Sequence, residues 1–177
     1  MSQDNILSRK AAGGDSAAFA ALVRRHQSAL RGFLLRLTRG DHALADDLAQ
    51  ETFIEAYRKL GQYDGRGSFA GWLYAIAWSR FGMAVRKRRT EALGEEDVPD
   101  PRAPAAGGSE ARLDLGTAMA KLAPAERASL TLCFALGLSH EEAAVSLGLP
   151  LGTLKSHVAR GREKLKILLA AWDREAR

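Results

Sequence analysis

The chain has 177 residues and a mass of 19.1 kDa, with 46% apolar residues, 27% charged residues and a formal charge of +5. That length holds one ordinary domain or two small ones, and the composition excludes a disordered acidic tail, a collagen-like repeat and a disulfide-rich scaffold. No apolar run approaches the roughly 18 residues needed to span a bilayer, and Met1 to Lys10 lacks the apolar core of a secretory signal, so a cytoplasmic protein without membrane insertion is expected.

Helical periodicity accounts for nearly every ordered stretch. Phe19, Leu22, Val23, His26, Leu30, Phe33, Leu34 and Leu37 recur at three- and four-residue steps between an N-cap at Asp15 or Ser16 and a stop at Gly40. Asp41 can cap a second helix with Leu44, Leu48, Phe53, Ala56, Tyr57 and Leu60 inward. Gly61 to Gly67 is too glycine-rich to continue it and predicts a loop, after which Ser68 caps a third helix carrying Phe69, Trp72, Leu73, Ile76 and Val85. Between Thr90 and Arg112 the periodicity disappears while Pro99, Pro101, Pro104, Gly107 and Gly108 cluster with acids, the composition of a flexible linker.

Beyond it, Leu113 to Leu122 predicts a short helix, and Pro124 suits the first turn of the next, whose stripe is Leu130, Cys133, Phe134 and Leu136. The single cysteine, Cys133, cannot form an internal disulfide and reads as a small buried hydrophobe. Ser139 to Glu142 fits a capping box for a helix closing at Gly148, and another begins after Pro150 and runs to about Trp172. A short helix, a tight turn containing Gly and a longer basic helix form the helix-turn-helix pattern. The expected fold is all-α: a domain over residues 10–90, a flexible acidic linker over 91–112, and a helix-turn-helix domain over 113–172.

The charges are segregated. Asp41 to Glu55 holds five acids and no base, Arg80 to Arg89 five bases and no acid, Glu91 to Asp114 seven acids against two bases, and Lys155 to Lys166 five bases against Glu163. Two separate basic surfaces suggest an anionic partner. On the final helix Leu154, Val158, Leu165, Leu168, Leu169 and Trp172 form one stripe, which leaves Lys155, Ser156, Arg160 and Arg162, with His157 beside them, on the opposite arc. A recognition helix places such donors against base edges in the major groove. Arg86, Lys87, Arg88 and Arg89 follow Trp72, Tyr74 and Trp78 on one helix, a combination of cations and aromatics suited to unpaired bases, although Trp72 also reads as plain core.

The motifs Asp46-Asp47-Leu48-Ala49-Gln50-Glu51-Thr52-Phe53, Tyr57-Arg58 and Phe69-Ala70-Gly71-Trp72-Leu73-Tyr74-Ala75-Ile76-Ala77 resemble region 2 of the extracytoplasmic-function sigma factors of bacterial RNA polymerase. Leu122 to Arg127, Leu138 to Ala144 and Leu149 to Arg162 are similar to their region 4. The resemblance implies a promoter-specificity subunit without catalytic residues, metal or cofactor. It implies that Asp47, Gln50, Glu51 and Phe53 dock on the clamp helices of the polymerase beta-prime subunit, and that the Leu122 to Leu136 helices rest on the beta flap. The Gly61 to Ser68 loop and the helix after it, with Trp78, Ser79, Arg80, Arg86, Lys87, Arg88 and Arg89, would read and open the minus-10 element. Thr153, Lys155, Ser156, His157, Arg160 and Arg162 would read the minus-35 element, and an anti-sigma partner is expected. The chain departs from the family at Ser79, where Asn is frequent, at Met83, where Asp is frequent, and at His157, where Arg is common.

An enzyme is not indicated. His26, His42, His140 and His157 are scattered, Ala144 stands where a zinc-protease motif beginning at His140 needs its second His, and Gly65-Arg66-Gly67 lacks the later glycine of a dinucleotide loop. Two rival readings remain: a sigma-like mimic that only sequesters an anti-sigma factor, and a plain helix-turn-helix regulator. The mimic has no need of a basic recognition arc, and the regulator does not explain the acidic Asp46 to Phe53 motif.

Overall fold

The structure, a computed structural model, describes residues 2–92 and 110–175, and among these it contains eight α-helices and no strand. Most of the expected 91–112 linker and the side chain of Trp172 lie outside the described residues. The first unit begins earlier than the sequence suggested. Helix α1 (Gln3–Ala12) starts from Ser2, whose hydroxyl accepts the Asn5 N–H at 3.3 Å, and buries Ser8 and Ala11 against α2 (Ser16–Leu37).

Helix α2 starts where a carboxylate can satisfy a free N–H: Asp15 accepts from Ala18 N at 3.0 Å. It ends in a turn that places Arg39 at φ 58° and Gly40 at φ 90°, and Asp41 then caps α3 (His42–Lys59) through Leu44 N at 3.0 Å. Ser68 does the same for α4 (Phe69–Ala92) through Gly71 N at 3.1 Å. Leu22, Leu30, Phe33 and Leu34 of α2 are fully buried against Ala45, Leu48, Thr52 and Ala56 of α3 and Leu73 and Ala77 of α4. Thr52 donates to the Leu48 carbonyl at 2.6 Å, so its hydroxyl is satisfied in the core. Burial pushes the Tyr74 phenol up to about 12, and its ring stands edge-on to Phe33 with centroids 5.3 Å apart.

Three inward assignments fail. Tyr57 and Val85 are exposed, the first because α3 packs through Ala45, Leu48, Thr52 and Ala56, a face that Tyr57 lies beside. In the second unit, α5 (Glu110–Ala120) leads to α6 (Pro124–Leu130), with Pro124 in the first turn. The chain then makes one π turn over Thr131–Ala135, closed by Leu136 N on the Thr131 carbonyl at 3.0 Å. The extra residue shifts the phase of the stripe, so Phe134, expected inward, is 61% exposed, and Cys133 is only half-buried. Burial raises the Cys133 thiol above its ordinary value, which suits a structural rather than a reactive cysteine.

Helix α7 (His140–Leu147) carries the expected capping box: Ser139 Oγ accepts from Glu142 N at 3.1 Å and Glu142 Oε2 accepts from Ser139 N at 2.9 Å. Gly148, at φ 64°, turns the chain into α8 (Leu151–Glu175). Helix α8 lies directly on α6, so closely that a Cβ at Gly161 would come within 2.8 Å of Leu130 Cδ1.

The same contact buries Glu126. Lys164 Nζ reaches both its oxygens at 2.9 Å and Ala123 N donates at 3.2 Å. Burial works to raise its pKa, but Lys164, the Ala123 N–H and Arg160 together hold it below the ordinary glutamate value of 4.5. Glu55, bonded by Lys59 and Arg80, is also held low. A carboxylate whose folded pKa is depressed contributes stability above its unfolded pKa and loses it as pH falls through the folded value. Thermal unfolding midpoints should therefore be flat near neutrality and fall below the ordinary carboxylate range. Glu126→Gln should lower the neutral midpoint and flatten the acid decline. An identical pH profile for the variant would remove Glu126 from this account.

The two units pack against each other. Helix α7 lies on α4, where Ser146 Oγ donates to the Gly71 carbonyl at 2.9 Å, and α5 and α6 lie on α2. Arg127 of α6, 3% exposed, donates from Nη1 to the carbonyls of Arg36 (3.0 Å) and Leu37 (2.9 Å), and from Nη2 to Leu122 (2.8 Å) and Ala120 (3.5 Å). Arg39 Nε adds a bond to Ala120 O at 3.2 Å.

Candidate nucleic-acid interface

Helix α8 buries Leu154 and Val158 against its own unit, which fixes what its first turns show to solvent. Lys155, Ser156 and Arg160 are exposed, while Thr153 and His157 are half-buried. These five share the first three turns of the second helix of a helix-turn-helix, the place from which side chains enter a major groove. Ser156 Oγ donates back to Gly152 O at 2.9 Å, and Arg160 is folded along the helix onto Ser156 O (Nε, 3.3 Å) and His157 Nδ1 (Nη2, 3.2 Å). Such local, solvent-exposed bonds are easily exchanged for base or phosphate acceptors. Arg162 is exposed but stands apart, its guanidinium carbon 5.6 Å from the centroid of the exposed Phe134 ring.

On α4, Arg86, Lys87, Arg88 and Arg89 are exposed in its last turns. Arg88 pairs with Asp41 at 3.4 Å and Lys87 with Glu91 at 3.9 Å. These are weak surface pairs that leave the local potential positive. Ser79 is exposed, and Trp78 is half-buried and stacked on Phe81 with centroids 5.7 Å apart. Arg80 sits differently: it contacts the Glu55 carboxylate and lies 3.8 Å from Glu51, which ties it to α3 rather than offering it to a phosphate. Trp72 is half-buried against Tyr63 and Phe69, at 5.3 and 5.6 Å, which agrees with its reading as packing.

On α3, Asp47, Gln50 and Glu51 are exposed along one arc. Phe53 is half-buried and, with Phe19, Val23, Ile54 and Tyr57, lines an apolar groove that continues from the acidic arc. Asp46 is occupied by Arg31, at 2.5 and 3.1 Å, and that hydrogen-bonded pairing lowers its pKa. No cluster of His, Cys, Asp and Glu among the described residues could hold a metal ion, and no described helix is long and apolar enough to cross a membrane.

An acidic arc with an apolar groove, a basic α4 end and a helix-turn-helix thus occur in one chain. The Sigma-70 region 2 family model matches residues 22–91 and the Sigma-70 region 4 model matches residues 112–165. The chain is 40% identical over 176 residues to the ECF RNA polymerase sigma factor SigE of Mycolicibacterium smegmatis, covering 93% of this chain and 67% of that one. It is 35% identical to the RNA polymerase sigma factor NccH of Alcaligenes xylosoxydans xylosoxydans, covering 95% of both. The chain belongs to the extracytoplasmic-function sigma factors of the sigma-70 family. The fold of the sigma factor agrees. The Bartonella quintana RpoE structure, solved with the anti-sigma factor NepR, aligns with a TM-score of 0.78 at 32% identity over 86% of this chain and 96% of that one. CnrH, solved with the cytosolic domain of CnrY, gives 0.73 at 31% identity over 95% and 97%.

As a sigma factor it directs RNA polymerase to promoters and takes part in transcription initiation. Lys155, Ser156, Arg160 and Arg162 of α8 and the Arg86 to Arg89 run of α4 are exposed, as the sequence suggested, whereas Arg80 is tied to α3. The sequence missed two features of the packing: α1, whose only signals were Ser2 and the spacing of Leu7 and Ala11, and Arg127, with nothing local to show that it crosses between units.

Proposed function

We propose that the sigma factor divides its task among three surfaces. Thr153, Lys155, Ser156, His157, Arg160 and Arg162 read the minus-35 element as duplex. Trp78, Ser79 and the Arg86 to Arg89 run, with the Gly61 to Ser68 loop, hold the opened minus-10 strand. Asp47, Gln50, Glu51 and Phe53 dock on polymerase, their negative charge seeking a basic partner. Arg80 serves the minus-10 surface indirectly, by tying α4 to α3 through Glu55. The observation that carries this assignment is the exposed cationic arc at the start of α8, held in register by buried Leu154 and Val158. A mimic would not need that arc.

The protein makes and breaks no covalent bond in this scheme; polymerase does the chemistry. Elements about 25 base pairs apart are separated by about 85 Å along the duplex, whereas a compact chain of this length has a radius of gyration of about 16 Å. The packed arrangement therefore reaches one element at a time, and the α4–α7 and Arg127 contacts must open on a promoter. The free protein should bind promoter DNA poorly. RpoE and CnrH were solved with anti-sigma factor NepR and the cytosolic domain of CnrY respectively, and an anti-sigma partner for this chain is proposed on that likeness.

Removing negative charge from the docking face tests the scheme. Asp47→Lys with Glu51→Gln should weaken association with core polymerase by at least about tenfold, the effect of roughly 1.4 kcal/mol, with little change in the unfolding midpoint, because both side chains are exposed and Glu51 gives up only a weak 3.8 Å surface pair with Arg80. An unaltered dissociation constant removes the docking face. Core enzyme supplied with the wild-type chain should initiate at discrete sites on a genomic library; capture by an anti-sigma protein with no RNA made anywhere would favour the mimic.

A further inference from the structure

The loop between Gln62 and Ser68 is held from outside its own unit of sequence. Tyr63 leaves the short 3-10 turn Leu60–Gln62 and packs its ring into an aromatic group with Phe69 (5.6 Å) and Trp72 (5.3 Å), next to His26. Its hydroxyl lies 2.8 Å from Asn5 Oδ1 of α1 and 3.2 Å from the Gly67 carbonyl at the far end of the loop. Between these ends, Gly65 and Gly67 both take φ 76°, so the backbone depends on glycine and on a fixed closure. A phenol has one proton to donate. Both bonds are complete when Asn5 turns its amide to donate to the phenol oxygen while the phenol donates to Gly67.

Helix α1 is itself anchored one residue earlier. The Asp4 carboxylate meets His26 Nε2 at 3.0 Å and Arg25 Nε at 3.2 Å, and Gln3 Oε1 accepts from Arg25 at 2.7 Å. His26 is buried at the middle of α2, so these bonds pin the N-terminal turn of α1 over the loop. Burial, with Asp4 and Asp64 nearby, raises the Tyr63 pKa, which keeps the phenol neutral and able to donate. Of the outward side chains of the loop, that of Arg66 is left free of the closure: it is strongly exposed and meets the Asp64 carboxylate at 3.4 Å, while Asp64 Oδ1 also accepts the Arg66 backbone N–H at 2.9 Å.

We propose that helix α1 is a brace for the minus-10 reader, with Asn5 and Tyr63 as positioning residues that fix the 63–67 loop in the shape that receives the extruded base. The inference rests on the reading of that loop as part of the minus-10 surface. Preorganisation of this kind lowers the ordering cost of binding, and losing one supporting hydrogen bond changes affinity by roughly fivefold.

The test uses the full chain assembled with core polymerase and a fork-junction DNA whose minus-10 element is single-stranded on the non-template strand, in four versions differing at each position of that element. Tyr63→Phe keeps the ring in its aromatic group and removes only the hydroxyl, and Asn5→Leu removes the amide from the α1 side. Both should weaken fork binding by about fivefold and flatten the discrimination among bases, with core affinity and minus-35 duplex preference unchanged. A third variant, Arg66→Ala, alters an outward side chain of the loop without touching the brace and should also shift base discrimination. If it does while Asn5→Leu and Tyr63→Phe discriminate like wild type, the brace is overturned and the loop assignment stands. If the loop variant has no effect either, the loop does not read the element and the inference falls with it.

Discussion

Arg127→Ala is expected to lower the unfolding midpoint by roughly 10 °C. Four backbone carbonyls accept from this one guanidinium: those of Arg36 and Leu37 in the last turn of α2, and those of Ala120 and Leu122 at the junction of α5 and α6, Arg39 sharing the Arg36 and Ala120 oxygens through its N–H and Nε. The last carbonyls of a helix have no partner within it, and the negative end of the helix dipole favours a cation there. Arg127 thus serves α2, α5 and α6 at once. Burial, followed by the nearby Arg39 charge, pushes its pKa down to about 10, still far enough above neutrality for the side chain to remain charged. The favourable field comes from carbonyl oxygens and helix ends, since none of the ion pairs among the described residues involves it.

Truncation leaves buried acceptors without donors and opens a cavity, a loss of about 3 kcal/mol. For a chain of this size each kcal/mol moves the midpoint by about 2–4 °C. The loss should also split unfolding into two steps, because the same side chain joins the units. Calorimetry checks both outcomes. A single transition within about 2 °C of wild type, less than 1 kcal/mol, would show that Arg127 bears neither load.

Arg160→Ala should act on function instead. Arg160 is exposed, and its bonds to Ser156 O and His157 Nδ1 run along its own helix, so little stability depends on it. A good arginine contact to a base is worth about 1–3 kcal/mol, so run-off transcription from promoters with an intact minus-35 element should fall about fivefold to a hundredfold. Promoters weak in that element should lose less, and core polymerase binding should not change. Equal loss of transcription and core binding would point to a folding defect, and no loss in transcription would place Arg160 outside the recognition arc.

These two arginines mark how far local sequence goes. Arg160 belongs to a periodic helix, and its exposed position follows from the spacing of Leu154 and Val158 alone. The caps at Asp15, Asp41, Ser68 and Ser139 were equally legible, because each is a bond between a side chain and a backbone N–H three residues on. Phe134 was misplaced because the periodic argument assumes 3.6 residues per turn, and the π turn at Thr131–Ala135 adds one residue. Tyr57 was misplaced because hydrophobicity alone does not reveal that α3 packs through the face of Ala45, Leu48, Thr52 and Ala56.

The sequence by itself determined the all-α character, the starts of α2, α3, α4 and α7, the two regions and the faces that carry charge, all of which depend on interactions within a few residues. Only the tertiary structure decided that α1 reaches the loop through Asn5 and Tyr63, that Arg80 is bound to α3, and that Arg127 joins one unit to the other. Those contacts link residues 25 to 91 positions apart, where no period or capping rule extends, and they follow from which helix faces meet once the chain is packed.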